Sequence, residues 1–102
     1  MGYDLVMHFV YIIRNSANKI YTGVTKNPQQ RLHYHNEKRG AQFTKRTPTH
    51  SEQSRGTYKI VFLEKYLTLA DARKREIQIK KWKREKKETL IAKYQEGLPT
   101  KT

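Results

Sequence analysis

Hydrophobic and polar positions show no pattern over residues 1–7 and then become regular. From His8 to Arg14 the run His-Phe-Val-Tyr-Ile-Ile-Arg is dense in β-branched and aromatic residues, and a weaker run of the same kind spans Asn18 to Val24. Between them Asn15, Ser16, Ala17 and Asn18 are turn formers. The two runs predict a β-hairpin in which Tyr11 lies opposite Tyr21 or one place diagonal, with both side chains on one face. Asn27, Pro28 and Gln30 predict a helix start, with a capping side chain, proline at the first helical position and a capping-box partner. Gly40 is expected to stop that helix, in which Arg31 and His35 share a face while Leu32 and Tyr34 reach other surroundings. Arg39 to Gly56 is polar and basic, carries Pro48 and offers only Phe43 as apolar anchorage, so it predicts a long loop of the binding kind. From Thr57 to Tyr66, Tyr58, Ile60 and Phe62 alternate with Lys59, Val61 and Leu63, a third strand with both faces partly covered. Thr68, with Asp71 three later, caps a helix reaching about Lys83. A further helical stretch from Glu85 to Gln95 carries Leu90, Ile91 and Tyr94 and ends at Gly97 and Pro99.

The helix after Thr68 has one residue at odds with its face. At about 100° per residue, Leu69, Ala72, Ile79 and Trp82 fall on one apolar arc with Ile77 at its edge, and Glu76 lies inside that arc. A carboxylate buried without a partner is costly. The pattern therefore calls for an arginine or lysine at the core edge, or for a metal ion held by the carboxylate. Arg73, Arg75, Lys80 and Lys81 point outward on the same helix and leave both readings open. Taken singly, the other polar candidates are equally open. Tyr11 and Tyr21 suit a half-buried sheet, and Arg31 suits a solvated helix face. His33 and His35 diverge by about 200° on a helix, which argues against a joint metal site. No glycine-rich phosphate loop, Ser-His-Asp arrangement or paired carboxylates can be argued from spacing.

Composition narrows the class. The 102 residues suit one small domain, and 22 Lys and Arg against 9 Asp and Glu give a formal charge of +13. Such an excess favours a polyanionic partner through counterion release and long-range steering. The absence of cysteine excludes disulfides, thiolate zinc sites, iron–sulfur ligation and a cysteine nucleophile. No run approaches the roughly 18 apolar residues that span a bilayer, no signal-peptide pattern opens the chain, and Val6 stands where a myristoylation signal needs Ser or Thr. The expectation is a soluble, cytoplasmic protein.

Val10-Tyr11-Ile12, then Tyr21-Thr22-Gly23 ten residues on, then Arg31 ten further with His35 after it, and finally the stretch Arg75 to Trp82 around Glu76, stand in that order along the chain. Together they resemble the GIY-YIG nuclease superfamily, most of all its small stand-alone bacterial members of the URI type. The likeness covers about residues 9–94. It implies an α+β fold, a three-stranded antiparallel sheet flanked by helices in the order β-β-α-β-α-α. With the residue pattern, it predicts a single domain over 8–95; the patternless 1–7 read as a loose arm and 96–102, after the helix end at Gly97 and Pro99, as a flexible tail. The activity implied is metal-dependent hydrolysis of a nucleic-acid phosphodiester, DNA before RNA, structure-specific and linked to repair or recombination.

By the same resemblance, Tyr21 is the general base or part of one, and Tyr11 orients the attacking water or holds Tyr21. Arg31 clamps the phosphoryl oxygens, a task its planar fork suits better than lysine. His35 assists proton transfer or hydrogen-bonds the catalytic tyrosine. Glu76 holds one Mg²⁺ (or Mn²⁺), which would also account for its place on an apolar arc. Only the tyrosines and Gly23 of the two motifs are literal, and no asparagine follows Glu76 where better-studied members carry one. Relatives often join this domain to separate DNA-binding modules; here the grip on nucleic acid is expected from Arg39, Lys45, Arg46 and Arg55 in the long loop and from Lys80, Lys81 and Lys83. The missing asparagine and the charge of +13 also support an alternative, a non-catalytic nucleic-acid-binding module that keeps the fold. An adaptor reading has only Leu90, Ile91 and Tyr94 in its favour.

Overall fold

The computed structural model describes residues 6–44 and 57–101, the side chains of 38–44 excepted. Strands β1 (His8–Asn15), β2 (Ile20–Thr25) and β3 (Tyr58–Tyr66) form an antiparallel sheet of order β2-β1-β3. Helices α1 (Pro28–Thr44), α2 (Leu69–Lys81) and α3 (Arg84–Gln95) complete the expected β-β-α-β-α-α order. The hairpin turn is built on Asn15, whose Oδ1 accepts from the amides of Ala17 and Lys19 at 3.0 and 2.9 Å. Asn18 takes the left-handed φ of 66° that asparagine tolerates.

The two faces of the sheet have different covers. Val10 and Ile12 of β1 and Phe62 of β3 pack with Ala72 and Ile79 of α2 and with Leu90 and Ile91 of α3 in one buried cluster. Leu90 and Ile91 are thereby buried in the domain's own core, which removes them from an adaptor surface. On the opposite face lie Tyr11, Ile13 and Tyr21, and α1 packs there. Ile12 pairs with Phe62 but Ile13 with Ile60, a bulge that leaves Val61 without an opposite number. This breaks the simple alternation read from the sequence. Tyr58 and Ile60 share the Tyr11 face, whereas Phe62 turns into the main core.

Both N-cap side chains accept as read, Asn27 Oδ1 from Gln30 N and Thr68 Oγ1 from Asp71 N, each at 3.1 Å, but the Asn27 amide donates to Thr25 Oγ1, which takes the place of the expected capping-box bond from Gln30. Helix α1 does not stop at Gly40; it continues to Thr44. One glycine costs a helix only about 1 kcal/mol, and Ala41 and Gln42 after it are good helix formers. The start of the expected 39–56 loop is thus helical. Lys45, Arg46, Arg55 and the side chain of Arg39 lie outside the described residues. Helix α2 ends two residues early, with Trp82 and Lys83 extended before α3. Gly97, at φ 77°, closes α3 by letting Gly97 N donate to Tyr94 O and Leu98 N to Lys93 O. In the segment expected to fray, Thr100 O accepts from Arg75 Nη2 at 2.7 Å, and Lys101 Nζ donates to Lys65 O at 2.6 Å. Among the described residues no helix is long and apolar enough to cross a membrane.

Candidate active site

Tyr11 sits on the central strand directly opposite Gly23 of the edge strand β2. Its ring lies across that glycine: a Cβ at position 23 would stand 2.5 Å from the Tyr11 hydroxyl oxygen and 2.7 Å from the carbon bearing it. Gly23 is therefore the opening through which a buried tyrosine, 4% exposed, carries its hydroxyl toward the sheet edge. Tyr21 pairs with Ile13, one place diagonal to Tyr11 on the same face, and is half exposed. The expected relation of the two tyrosines holds in this register.

Helix α1 brings His35 between them. The Tyr11 hydroxyl is hydrogen-bonded to His35 Nε2 at 3.2 Å, and the imidazole lies 5.0 Å from the Tyr21 ring, with the rings of Tyr34 and Tyr58 at 6.1 and 5.9 Å. The helix is fixed to β3 by the next residue. Asn36 Oδ1 accepts from Tyr58 N at 2.7 Å, and Asn36 Nδ2 donates to Tyr58 O at 3.4 Å. Nothing in the spacing of Asn36 announces this clamp, since its partner is 22 residues away. Arg31, one turn before His35, is exposed, with its guanidinium 5.6 Å from the centre of the Tyr34 ring.

Glu76 arrives from α2 and is 8% exposed. Its carboxylate pairs with Lys80 Nζ at 3.2 Å and Arg73 Nη1 at 3.7 Å, both from its own helix and both with side chains more than half exposed. The outward-pointing cations thus bend back to it. The Tyr11 phenol responds to three of the others. Burial pushes it up to about 12, the Arg31 guanidinium opposes that rise, and negative charge on Tyr21 and Glu76 adds to it. Tyr11, Tyr21, Arg31, His35 and Glu76 are accordingly brought together from β1, β2, α1 and α2, at the β2 edge.

Among the described residues no three His, Asp or Glu side chains converge as a ready-made metal cage. Among the described residues, a divalent cation here would have Glu76 as its protein carboxylate. That donor set fits Mg²⁺, which is commonly bound by one or two carboxylates and fills its remaining positions with water and substrate phosphate oxygens.

The basic residues assigned to nucleic acid divide. Lys80 is engaged by Glu76, while Lys81 and Lys83 are exposed just before and at the α2–α3 junction. Arg75, next to Glu76 in sequence, faces elsewhere. It forms a two-pronged pair with the buried Glu64, Nε to Oε1 at 2.9 Å and Nη2 to Oε2 at 3.2 Å, and Tyr66 donates to the same carboxylate at 2.8 Å. Sequence reading missed this second buried acid, because in the alternating pattern of β3 it resembles any solvent-facing residue.

The sequence pattern of the GIY-YIG catalytic domain matches residues 7–89. UPF0213 proteins of Staphylococcus aureus strains Mu3 and Mu50 are 41% identical to the chain over 85 residues, 82% of it and 93% of their own length. The solution NMR structure of a UPF0213 protein from Bacillus halodurans superposes with a TM-score of 0.51 at 27% identity, over 84% of this chain and 83% of that one.

Proposed function

The chain belongs to the GIY-YIG catalytic-domain family, a nuclease family, and on that premise we propose that it is a Mg²⁺- or Mn²⁺-dependent endonuclease that hydrolyses phosphodiester bonds in DNA. The observation that carries the reading is the Tyr11 phenol, hydrogen-bonded to His35 and sensitive to the charges of Arg31, Tyr21 and Glu76 together. A branched, flapped or damaged DNA is the favoured substrate, in a repair or recombination role.

The residues divide the work by exposure and charge. Tyr11 stays neutral to about 12, so at ordinary pH it is a phenol hydrogen-bonded to the imidazole and does not serve as the base. Tyr21, half exposed beside the imidazole, is the group free to meet a water molecule and take its proton. His35 holds Tyr11 and lies near enough to Tyr21 to share that proton. Arg31, exposed and held against Tyr34, presents a fork to two phosphoryl oxygens and counters the charge that grows as the bond to the attacking oxygen forms. Glu76 would hold the divalent cation, which supplies Lewis-acid polarisation of the phosphate and stabilises the leaving oxygen. Lys80 and Arg73, long exposed side chains now on the carboxylate, are free to turn toward substrate phosphates once it is engaged.

The test is a panel of labelled single-stranded, duplex and branched DNAs incubated with the protein and Mg²⁺ or Mn²⁺, beside Glu76→Ala and Arg31→Ala. Cleavage by the parent and its loss in both variants is the expected result; equal cleavage in all three overturns the reading. Salt-dependent binding with no cleavage of any substrate would favour the non-catalytic module instead, a reading consistent with the pairing of Glu76 by Lys80 and Arg73.

A further inference from the structure

The far flank of α2 carries a second basic surface that the reaction does not use. At about 100° per residue, Arg75, Gln78 and Trp82 stand about 100–160° round the helix from Glu76. Arg75 and Gln78 line two neighbouring hollows, one reaching Lys101 and the other, with Trp82, reaching α3 and Thr100, which together make a groove. Lys74, Lys86, Lys93 and Lys101 line it against the single carboxylate of Asp71. The charge of Arg75 is already matched by Glu64. Two of these lysines lie over aromatic rings, Lys86 Nζ 4.4 Å from the centre of Trp82 and Lys101 Nζ 4.2 Å from that of Tyr66.

We propose that this groove is an accessory site for single-stranded nucleic acid, with the Trp82 indole as a stacking platform and Lys86, Lys93, Lys74 and Lys101 as phosphate contacts. Its position would make it hold an unpaired arm on the side of α2 away from the cleaved bond. Bases stack on aromatic rings whatever their sequence, and a row of lysines follows the backbone. The indole is partly buried against the core and also meets the Arg75 guanidinium at 5.4 Å, and the Lys86 ammonium over it marks the place a base would take: Lys86 is a flexible, solvent-exposed side chain whose ammonium can move from the indole to a phosphate. The choice of ligand class rests on the nuclease reading; the groove itself does not.

Trp82 is the one tryptophan in the chain, so its emission reports on this groove alone. The full chain is titrated with oligothymidylate in the absence of divalent metal, with polyglutamate as a second polyanion. The expected result is quenching by oligothymidylate and none by polyglutamate. Lys86→Glu with Lys93→Glu, both exposed positions, should weaken the oligonucleotide about tenfold and reduce the slope of log affinity against log salt by about 1.4, two contacts at ~0.7 each. Emission that does not respond to oligothymidylate, equal quenching by polyglutamate, or unchanged affinity in the charge-reversed variant overturns the proposal. The two readings fail separately: cleavage with unmoved emission removes the groove alone, and quenching without cleavage removes the nuclease alone.

Discussion

Two buried glutamates flank the sheet, and the difference between them separates a structural charge from one available for chemistry. Glu64 is 4% exposed and Glu76 8%, so both carboxylates have lost most of their water. Glu64 is held across elements by the Arg75 fork and within its own strand by the Tyr66 hydroxyl, and Arg75 is itself tied to Thr100 O. Burial and the bond to Glu64 push the Tyr66 phenol up, so it stays a donor to that carboxylate. Among the described residues Glu76 is paired by Lys80 and Arg73 of its own helix, long side chains reaching back from solvent. A charge buried to hold a fold is surrounded by partners that other elements fix; a charge buried to work has counterions that can leave.

Removing each acid should expose that contrast. Glu64→Ala leaves Arg75 buried without its counterion, and a loss of about 3–5 kcal/mol in unfolding free energy is expected by chemical denaturation. Glu76→Gln should stay within about 1 kcal/mol of the parent, since its partners are exposed, while cleavage drops by about 10²–10³. If Glu76→Gln unfolds the protein as Glu64→Ala does, the two acids play the same part and the comparison fails.

Smaller changes sharpen it. Gly23→Ala places a Cβ 2.5 Å from the Tyr11 oxygen. Because Tyr11 is buried, its ring must tilt, at about 1–3 kcal/mol, and cleavage should fall more than substrate binding. Separate kcat and KM measurements check this.

The smallest effect belongs to a third acid. At the hairpin end, Glu88 takes a two-pronged bond from Arg14 and another from Arg84. These hold it down to about 2 from its ordinary 4.5, the Arg14 bonds first. A depressed folded value means the stabilisation is complete above about 4.5 and is lost as pH falls toward about 2. The pair is partly exposed, so less than about 1 kcal/mol is at stake. Denaturation midpoints between pH 5 and about 2 should decline less steeply in Glu88→Gln than in the parent, by the share this one carboxylate contributes.

Much of the fold was legible because its signals are local. Asn27 and Thr68 cap the helices they precede, Asn15 to Asn18 make the hairpin turn, and Gly97 closes the last helix, each through bonds spanning five residues or fewer. The family resemblance supplied the candidate site residues, and the Tyr11–Tyr21 relation followed from the hairpin register. Gly40 misled because a single weak helix former cannot outweigh its neighbours. The bulge at Val61 was invisible because it depends on which residue of β1 each residue of β3 meets.

The sequence by itself determined the elements, their order, the basic character and the presence of one acid on an apolar helix face, since propensity, capping and periodicity act within a few residues. Tertiary structure alone decided that Arg75 answers Glu64, while Glu76 is answered by Arg73 and Lys80 of its own helix. Adjacent residues Arg75 and Glu76, about 100° apart round α2, went to different partners, one to neutralise Glu64 and the other to Lys80 and Arg73. The Arg75–Glu64 pair could not be read along the chain, because the energy of a buried charge depends on what is packed against it, and here the two partners come from a helix and a strand.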